Sequence, residues 1–147
     1  MIRFREAERS DVPAIVALLS DDALGATREG ETLVPYYAAF DRIAAEGGNA
    51  VIVGDDDGRV IATYQLTFIT GLSLRATRRA QIESVRVAAP MRGQGIGAAM
   101  FADAEARARA AGCKLMQLTM NSERRDARRF YEGLGFIASH TGFKRQI

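Results

Sequence analysis

The chain has 147 residues, of which 48% are hydrophobic, and this size and composition suit one compact domain spanning residues 1–147. Its single cysteine excludes an internal disulfide, and its single histidine argues against a zinc site built from Cys and His side chains, so no metal is expected. The first six residues are charged where a secretory signal is apolar, and no uncharged apolar run is long enough to span a bilayer. These features predict a cytoplasmic protein without a membrane partner.

The formal net charge of +2 conceals an uneven distribution of charge along the chain. Residues 1–74 contain 6 Arg and Lys against 12 Asp and Glu, whereas residues 75–147 contain 14 against 6. Either both halves present ordinary solvated surfaces, or the second half holds an anionic cofactor and the first attracts a cationic substrate. The arginines are not interleaved with stacking aromatic residues, so nucleic acid is not an expected partner.

Hydrophobic periodicity and capping residues predict a mixed sheet flanked by helices. The first half is predicted to contain a strand at 2–7, a helix from the Ser10-Asp11 cap to Leu19, a loop at 20–32, a helix at 33–45, and strands at 50–54 and 60–69 joined by the hairpin signal Asp55-Asp56-Asp57-Gly58. The second half is predicted to contain a loop at 71–79, a strand at 81–88, a glycine-rich turn, a helix to Ala111, a strand at 114–120, a helix at 123–134 and an extended segment at 136–146.

The glycine-rich turn, Arg92-Gly93-Gln94-Gly95-Ile96-Gly97, is the most informative part of the sequence. It lies between an alternating strand pattern and an amphipathic helix pattern. Three glycines let the backbone approach a ligand closely, and the free amides at a helix start favour an anion. This pattern predicts a pyrophosphate-binding turn.

Residues 87–97 resemble the acyl-CoA-binding signature of the GCN5-related N-acetyltransferase (GNAT) superfamily. That signature is Arg or Gln, two residues, Gly, one residue, and Gly or Ala, and it is matched here by Arg92, Gly95 and Gly97. The second half of the signature is matched downstream, in the family's order and spacing, by Asn121, Ala127, Phe130-Tyr131-Glu132 and Gly135-Phe136. The predicted order of elements also resembles that fold over nearly the whole chain.

The resemblance implies an α/β fold with a mixed, mostly antiparallel central sheet of six to seven strands, about four helices, and two central strands that splay apart. It implies acetyl-CoA as cosubstrate, with the pantetheine arm paired to backbone groups of Val85 and Val87. The pyrophosphate would bind the backbone amides of Gly93, Gln94, Gly95, Ile96, Gly97 and Ala98, with Arg92 near a phosphate. Asn121 would bond the amide chain of the cofactor or cap the following helix, and these two roles are compatible.

Tyr131 is the expected general acid. When an amine attacks a thioester, a thiolate leaves, and a phenol can return a proton to it or donate a hydrogen bond. The alternative is that Phe130 and Tyr131 simply pack their helix onto the sheet.

Glu83 is the expected general base, because an incoming amine is protonated at neutral pH and must lose a proton before attack, directly or through a water. Its position beside Ile82, Val85 and Val87 predicts partial desolvation, which raises a carboxyl pKa. The alternative is a surface salt bridge to Arg86 or Arg79.

The resemblance implies transfer of an acetyl group to a primary amine of a small molecule or peptide, by direct attack in a ternary complex. Carboxylates in loop 20–32, Asp21 and Asp22 among them, would steer a cationic amine, whereas Arg75, Arg78 and Arg79 equally permit an anionic substrate. A non-catalytic acyl-CoA sensor on the same fold is the main alternative. A dinucleotide oxidoreductase is disfavoured, because that fingerprint expects an acidic residue where Asn121 ends the next strand. The oligomeric state stays open, a homodimer included.

Overall fold

The computed structural model describes residues 1–147, which form one five-stranded sheet and six helical segments. The strands are β1 (Ile2–Glu6), β2 (Asn49–Asp56), β3 (Arg59–Ile69), β4 (Arg79–Val87) and β5 (Leu115–Leu118). The helices are α1 (Val12–Ser20), α2 (Gly25–Arg28), α3 (Val34–Glu46), α4 (Ser73–Ala76), α5 (Ile96–Ala110) and α6 (Arg125–Gly133). None of them combines the length and the apolar content that crossing a bilayer requires.

The strands lie in the order β1-β2-β3-β4-β5, and every neighbouring pair is antiparallel except β4 and β5, which are parallel. The β2–β3 connection is the predicted hairpin. Asp57 and Gly58 both have positive φ, 50° and 88°, as a two-residue turn of the primed type requires. The Gly58 amide also donates a hydrogen bond to Asp55 Oδ1 at 2.7 Å.

Helices cover both faces of the sheet, so the domain has three layers. On one face, the buried side chains of α5, Met100 and Phe101 among them, pack in one cluster with Leu66 and Ile82 of the strands. The other face carries α1 and α3, whose apolar side chains surround a cavity together with Thr63 and Gln65. Alternate residues of β3 therefore face opposite helical layers.

The predicted sheet of six to seven strands is wrong, because the structure has five. The missing strand is the one expected at 136–146, and no residue after Leu118 joins the sheet. Only Phe136 is even partly buried in 136–147, so the segment has no continuous apolar face to hold it against the core. The expected count of about four helices is also low, because single turns, α2 and α4, form inside the two predicted loops.

Two polar networks join elements that are distant in the sequence. The Tyr64 hydroxyl donates a hydrogen bond to Asp103 Oδ2 at 2.6 Å, and Arg107 Nε donates to the same oxygen at 2.8 Å. Near the start of the chain, Arg5 donates two hydrogen bonds to Asp11, at 2.7 and 3.1 Å, and one to Asp55, at 2.8 Å. The first network fixes α5 to the sheet, and the second fixes the connection between β1 and α1.

Candidate functional site

The parallel strands β4 and β5 separate along their length. Their pairing begins at Arg79 with Leu115 and ends at Ile82 with Leu118, whereas β4 continues along β3 as far as Val87. Residues 83–87 therefore have a strand partner on one side only. This open edge leads directly into the glycine-rich turn, so it can accept an extended ligand whose far end reaches α5.

The carbonyl groups of Val85 and Val87 accept hydrogen bonds from arginine side chains. Arg86 Nη1 donates to the Val85 carbonyl at 2.9 Å, and Arg92 Nε donates to the Val87 carbonyl at 3.1 Å. Arg92 also reaches the Asp21 carbonyl at 3.3 Å. A ligand that pairs with these carbonyls would replace guanidinium donors.

A bulge at Ser84 changes the direction of the side chains along β4. Glu83 lies opposite Gln65, and Arg86 lies opposite Thr63. Three residue steps along β4 therefore correspond to two along β3. Ser84, with φ of 56°, absorbs the extra residue. Opposed residues of an antiparallel pair share a face, so Glu83 and Arg86 both face the layer of α1 and α3.

The glycines of the turn have two separate functions in the structure. Gly93 and Gly95 have φ of 76° and 79°, which glycine adopts without steric cost. Gly97 instead provides space, because a Cβ there would lie 3.0 Å from Phe130 Cζ. The turn therefore needs glycine at two positions for its backbone conformation and at a third for its packing against α6.

The start of α5 exposes unpaired backbone amides. Its first helical hydrogen bond runs from the Ala99 amide to the Gly95 carbonyl at 3.1 Å, and the amides of Ile96, Gly97 and Ala98 donate to no protein group. Gly95 occupies the N-cap position and has no side chain that could accept hydrogen bonds from these amides. These donors and the helix dipole favour an anion here, as the sequence predicts. The Gln94 side chain folds away and donates to the Pro90 carbonyl at 3.3 Å.

Tyr131 lies in an aromatic cluster between α5 and α6. Its ring contacts those of Phe101, Phe130 and Phe136, with centroids 5.6, 5.5 and 6.3 Å away. Burial raises the pKa of its hydroxyl above the ordinary value, while the nearby positive charges of Arg124 and Arg86 oppose that rise. The hydroxyl therefore keeps its proton at neutral pH, beside two cations that can stabilise a developing negative charge.

Glu83 lies on the open part of β4, one residue after the last pair with β5. Its side chain is exposed, so the predicted partial desolvation of the carboxylate is wrong. The apolar neighbours Ile82 and Val85 face α5, whereas the bulge keeps Glu83 on the opposite face. The alternative salt bridge is also not formed, because Arg86 pairs with Asp22 instead.

Asn121 lies in the connection between β5 and α6, and its side chain is exposed. Its Oδ1 accepts a hydrogen bond from the Glu123 amide at 2.9 Å, and its carbonyl accepts one from Arg124 at 3.0 Å. The residue thus stabilises the turn before α6, which begins at Arg125 rather than at the predicted Glu123. The Nδ2 group is not used in this turn.

No pattern in the sequence indicates the cluster that Asp22, Arg86 and Arg124 form in the structure. Arg124 Nη2 lies 2.9 Å from Asp22 Oδ2, and Arg86 Nε lies 3.6 Å from the same oxygen. The Gly25 amide donates to the other oxygen. Burial alone would raise the pKa of Asp22, but the Gly25 amide and the charges of Arg86 and Arg124 outweigh burial and lower it. Asp22 is therefore engaged within the protein rather than free to steer a cationic amine.

A cavity of about 150 Å³ lies between the sheet and the helices α1 and α3. Its wall is largely apolar and includes Ile15, Leu19, Phe40, Ile43 and, from the bulge, Ser84. The site therefore combines an open strand edge, a helix start with free amides, and a small apolar recess on the opposite face of the sheet.

Together, the parted parallel strands and the free amides at the start of α5 define an α/β protein whose open strand edge leads to a helix start suited to an anion. A family model described as the acetyltransferase (GNAT) family matches residues 13–136. The chain belongs to this family, whose members are acyltransferases that use acetyl-CoA.

Individual relatives agree with this assignment. An aminoalkylphosphonate N-acetyltransferase from Salmonella typhimurium strain LT2 is 45% identical over 67 residues, which cover 46% of this chain and 44% of that protein. The match thus spans less than half of that relative.

Solved structures resemble the whole chain. A protein from Bacillus halodurans C-125, described as a transcriptional regulator, is 40% identical over 100% of both chains, with a TM-score of 0.95. A protein from Clostridium acetobutylicum, described as a predicted acetyltransferase with acetyl-CoA, is 17% identical over 99% of this chain and 96% of its own, with a TM-score of 0.77. The second likeness, at this low identity, supports the fold.

Proposed function

We propose that this protein is an acetyl-CoA-dependent N-acetyltransferase that acts on a primary amine by direct attack in a ternary complex. The open edge of β4, which leads into the free amides of α5, is the observation that carries the proposal. The amine nitrogen forms a bond to the thioester carbon, and the carbon–sulfur bond breaks. A protonated amine gives one proton to Glu83 and solvent and a second to the departing thiol, so the products are an amide, free CoA and one released proton.

The cofactor would lie along β4 and across the glycine-rich turn. Backbone groups of Val85 and Val87 would bind its pantetheine arm, displacing the guanidinium groups of Arg86 and Arg92 from the two carbonyls. The amides from Gly93 to Ala98 would bind the pyrophosphate, and the freed Arg92 would pair with a phosphate. The Asn121 Nδ2 group would donate to the amide chain.

Tyr131 would be the general acid. Its raised pKa favours the protonated form, so the hydroxyl donates a hydrogen bond to the thiolate as negative charge develops. Full proton transfer from a phenol of raised pKa to a thiolate is uphill in free energy. Arg86 and Arg124 offset part of this cost by stabilising nearby negative charge.

Glu83 would accept the proton of the amine. Its exposed position suits transfer through a water molecule as well as direct contact. The bulge is what directs Glu83 toward the layer of α1 and α3, so the acceptor would approach from that side of the sheet. The acceptor would be a small molecule or a peptide amine, and the small acceptor named for the Salmonella relative supports the former.

A non-catalytic acyl-CoA sensor on the same fold is the second candidate. The description of the Bacillus halodurans neighbour as a transcriptional regulator, at 40% identity over both whole chains, supports it. A sensor would bind acetyl-CoA through the same turn and release no thiol.

One pair of measurements separates the candidates. A thermal-shift panel of acetyl-CoA, longer acyl-CoAs, NAD and DNA tests the ligand, since a ligand at about 100 times its Kd stabilises by about 2.7 kcal/mol. Stabilisation by NAD without stabilisation by CoA would overturn the proposal. Thiol release from acetyl-CoA across an amine library then tests turnover. Binding without release from any amine supports the sensor.

The proposed base has its own test, for which Glu83→Gln is compared with the exposed control Glu105→Gln. Glu105 pairs with Arg109 on α5, away from the open edge. We expect kcat/KM of the Glu83 variant to fall and its dependence on pH to flatten, while the control keeps the native profile. An unaltered profile in Glu83→Gln removes that residue from the mechanism.

A further inference from the structure

We propose that Arg86 and Arg124 form a binding site for a compact oxyanion of the acceptor, so that the substrates are small primary amines bearing a phosphonate, phosphate or carboxylate group. The proposal rests on the proposed function and adds a substrate class to it. Apart from their electrostatic effect on Tyr131, these two arginines have no part in the sequence motifs or in the proposed binding of the cofactor's phosphates.

The cluster carries more positive than negative charge. Two guanidinium groups share the single carboxylate of Asp22. Two further groups, Arg28 and Glu29, also act on the Arg86 charge, and their own charges are opposite. The Glu29 carboxylate also accepts a hydrogen bond from the Tyr36 hydroxyl at 2.9 Å. A net positive charge therefore remains in a partly buried place, where an anion compensates it best.

Arg86 also has a hydrogen-bonding group without an acceptor. Its Nε is buried and has no hydrogen-bond partner, because Asp22 Oδ2 lies 3.6 Å away, whereas Arg124 Nη2 lies 2.9 Å from that oxygen and is engaged with it. The Arg86 side chain is only 10% exposed. Buried donors are normally satisfied, so Arg86 Nε indicates a missing acceptor. Planar guanidinium groups suit carboxylate, phosphate and phosphonate oxygens.

The position of the cluster suits the acceptor rather than the cofactor. Arg86 lies on the face of β4 toward α1 and α3, opposite the face that packs against α5. Glu83 lies on the same face, three residues away, which is at most about 10 Å along a strand. A small molecule can therefore place its amine near Glu83 and its anion near Arg86.

A binding experiment isolates the site from catalysis. With CoA at saturation to fill the pyrophosphate site, the full-length protein is titrated with methylphosphonate, inorganic phosphate or acetate, and its Tm is measured. We expect at least one anion to raise the Tm of the native protein, and this rise to disappear in Arg86→Gln and in Arg124→Gln. The matched control, Arg128→Gln, removes an exposed arginine of α6 that pairs with Glu132 and should keep the native response.

A kinetic experiment tests the substrate class. Acetyl transfer to 2-aminoethylphosphonate, 3-aminopropanoate and propylamine compares two anions with a neutral group on similar amines. We expect kcat/KM to be at least about tenfold higher for an anionic amine than for propylamine, and Arg86→Gln to abolish this preference mainly through KM. The more conservative Arg86→Lys should retain part of it, which covers the case in which Arg86→Gln does not fold.

The possible results distinguish the two proposals. Anion binding that depends on Arg86 and Arg124, without transfer to any amine, supports the anion site and overturns the acetyltransferase. Transfer to propylamine at the rate of the anionic amines, unchanged in Arg86→Gln, overturns the anion site and leaves the acetyltransferase standing. Anion-induced stabilisation that survives in both glutamine variants also overturns the site.

Discussion

The two clusters of arginine and aspartate in this protein have opposite ratios of charge. In the first, one arginine, Arg5, lies between Asp11 and Asp55, and every contact has hydrogen-bond geometry. In the second, two arginines share Asp22, and the buried Arg86 Nε has no acceptor within hydrogen-bond distance. The first is a completed structural link. The second has the composition of a binding site, and residues around it belong to the proposed acyl-transfer machinery.

Among substitutions that test this contrast, the largest effect on activity is expected at Tyr131, which lies near the second cluster. Tyr131→Phe should lower kcat by about 100-fold or more, because it removes the hydroxyl proposed to stabilise the thiolate. Tm and the affinity for CoA should change little, since the ring stays in its aromatic cluster. Thiol release measures kcat, and Tyr37→Phe on α3 serves as the control. Full activity of Tyr131→Phe would exclude the residue from the mechanism.

Asp22→Asn is expected to have the next largest effect. Without its carboxylate, Arg86 becomes a buried charge beside a second arginine, so the free energy of unfolding should fall by about 2–3 kcal/mol. Millimolar methylphosphonate should restore much of the loss, because the anion takes the place of the carboxylate. Urea unfolding with and without the anion measures both effects. If no anion restores the lost free energy of unfolding, the second cluster has only a structural role, as the first has.

Asp11→Asn should lower the free energy of unfolding by about 1.5–2 kcal/mol, with no recovery in any anion. The Arg5 hydrogen bond is the largest cause of the lowered pKa of Asp11. A carboxyl group whose pKa is lowered on folding stabilises the native state above its unfolded pKa of 3.8, and this contribution disappears as pH falls further. Asp11→Asn should therefore unfold with a weaker dependence on pH below about 4. An unchanged acid profile would contradict the assignment.

The smallest effect is expected at Tyr64, in the network with Asp103 and Arg107. Tyr64→Phe should lower the free energy of unfolding by about 1 kcal/mol, because Asp103 keeps its bond to Arg107. Burial and Asp103 raise the pKa of Tyr64, so its contribution is complete below the unfolded pKa near 10 and falls as pH rises above it. The variant should show a weaker loss of stability above pH 10, with acetyl transfer unaffected. A drop in kcat would show that this network also serves the site.

The sequence predicts the parts of the protein that depend on local patterns. The hairpin at Asp57-Gly58, the helix after the glycines and the free amides at its start all follow from residues close together in the chain. The residues of the family signature likewise lie within a short stretch. Such features need no knowledge of how distant segments meet.

Features that depend on distant contacts were not predictable. The Asp22–Arg124 pair joins residues about a hundred positions apart, and no periodicity relates them. The bulge could not be predicted because its left-handed residue is Ser84. Serine, unlike glycine, rarely adopts positive φ, so its presence does not indicate such a conformation. Simple alternation places Glu83 with Val85 and Val87 on one face, and this is why desolvation of Glu83 was expected. The terminal strand was predicted wrongly for a different reason, since the side chains of residues 137–147 are exposed and bury no apolar surface that would hold the segment in the sheet.

Ser84 is one extra residue in β4, and it reverses which alternate residues face α5 in the part of the strand that follows it. Before Ser84 the even-numbered residues face α5, and after it the odd-numbered residues do. Ile82 and Val85 therefore share that face although three positions separate them. A regular strand that kept Ser84 would place Glu83 and Arg86 on opposite faces and force one of them into the apolar layer, whereas deleting Ser84 would leave both on their present face. The left-handed conformation of Ser84 thus decides that Glu83 and Arg86 share the side of the sheet proposed to receive the substrate.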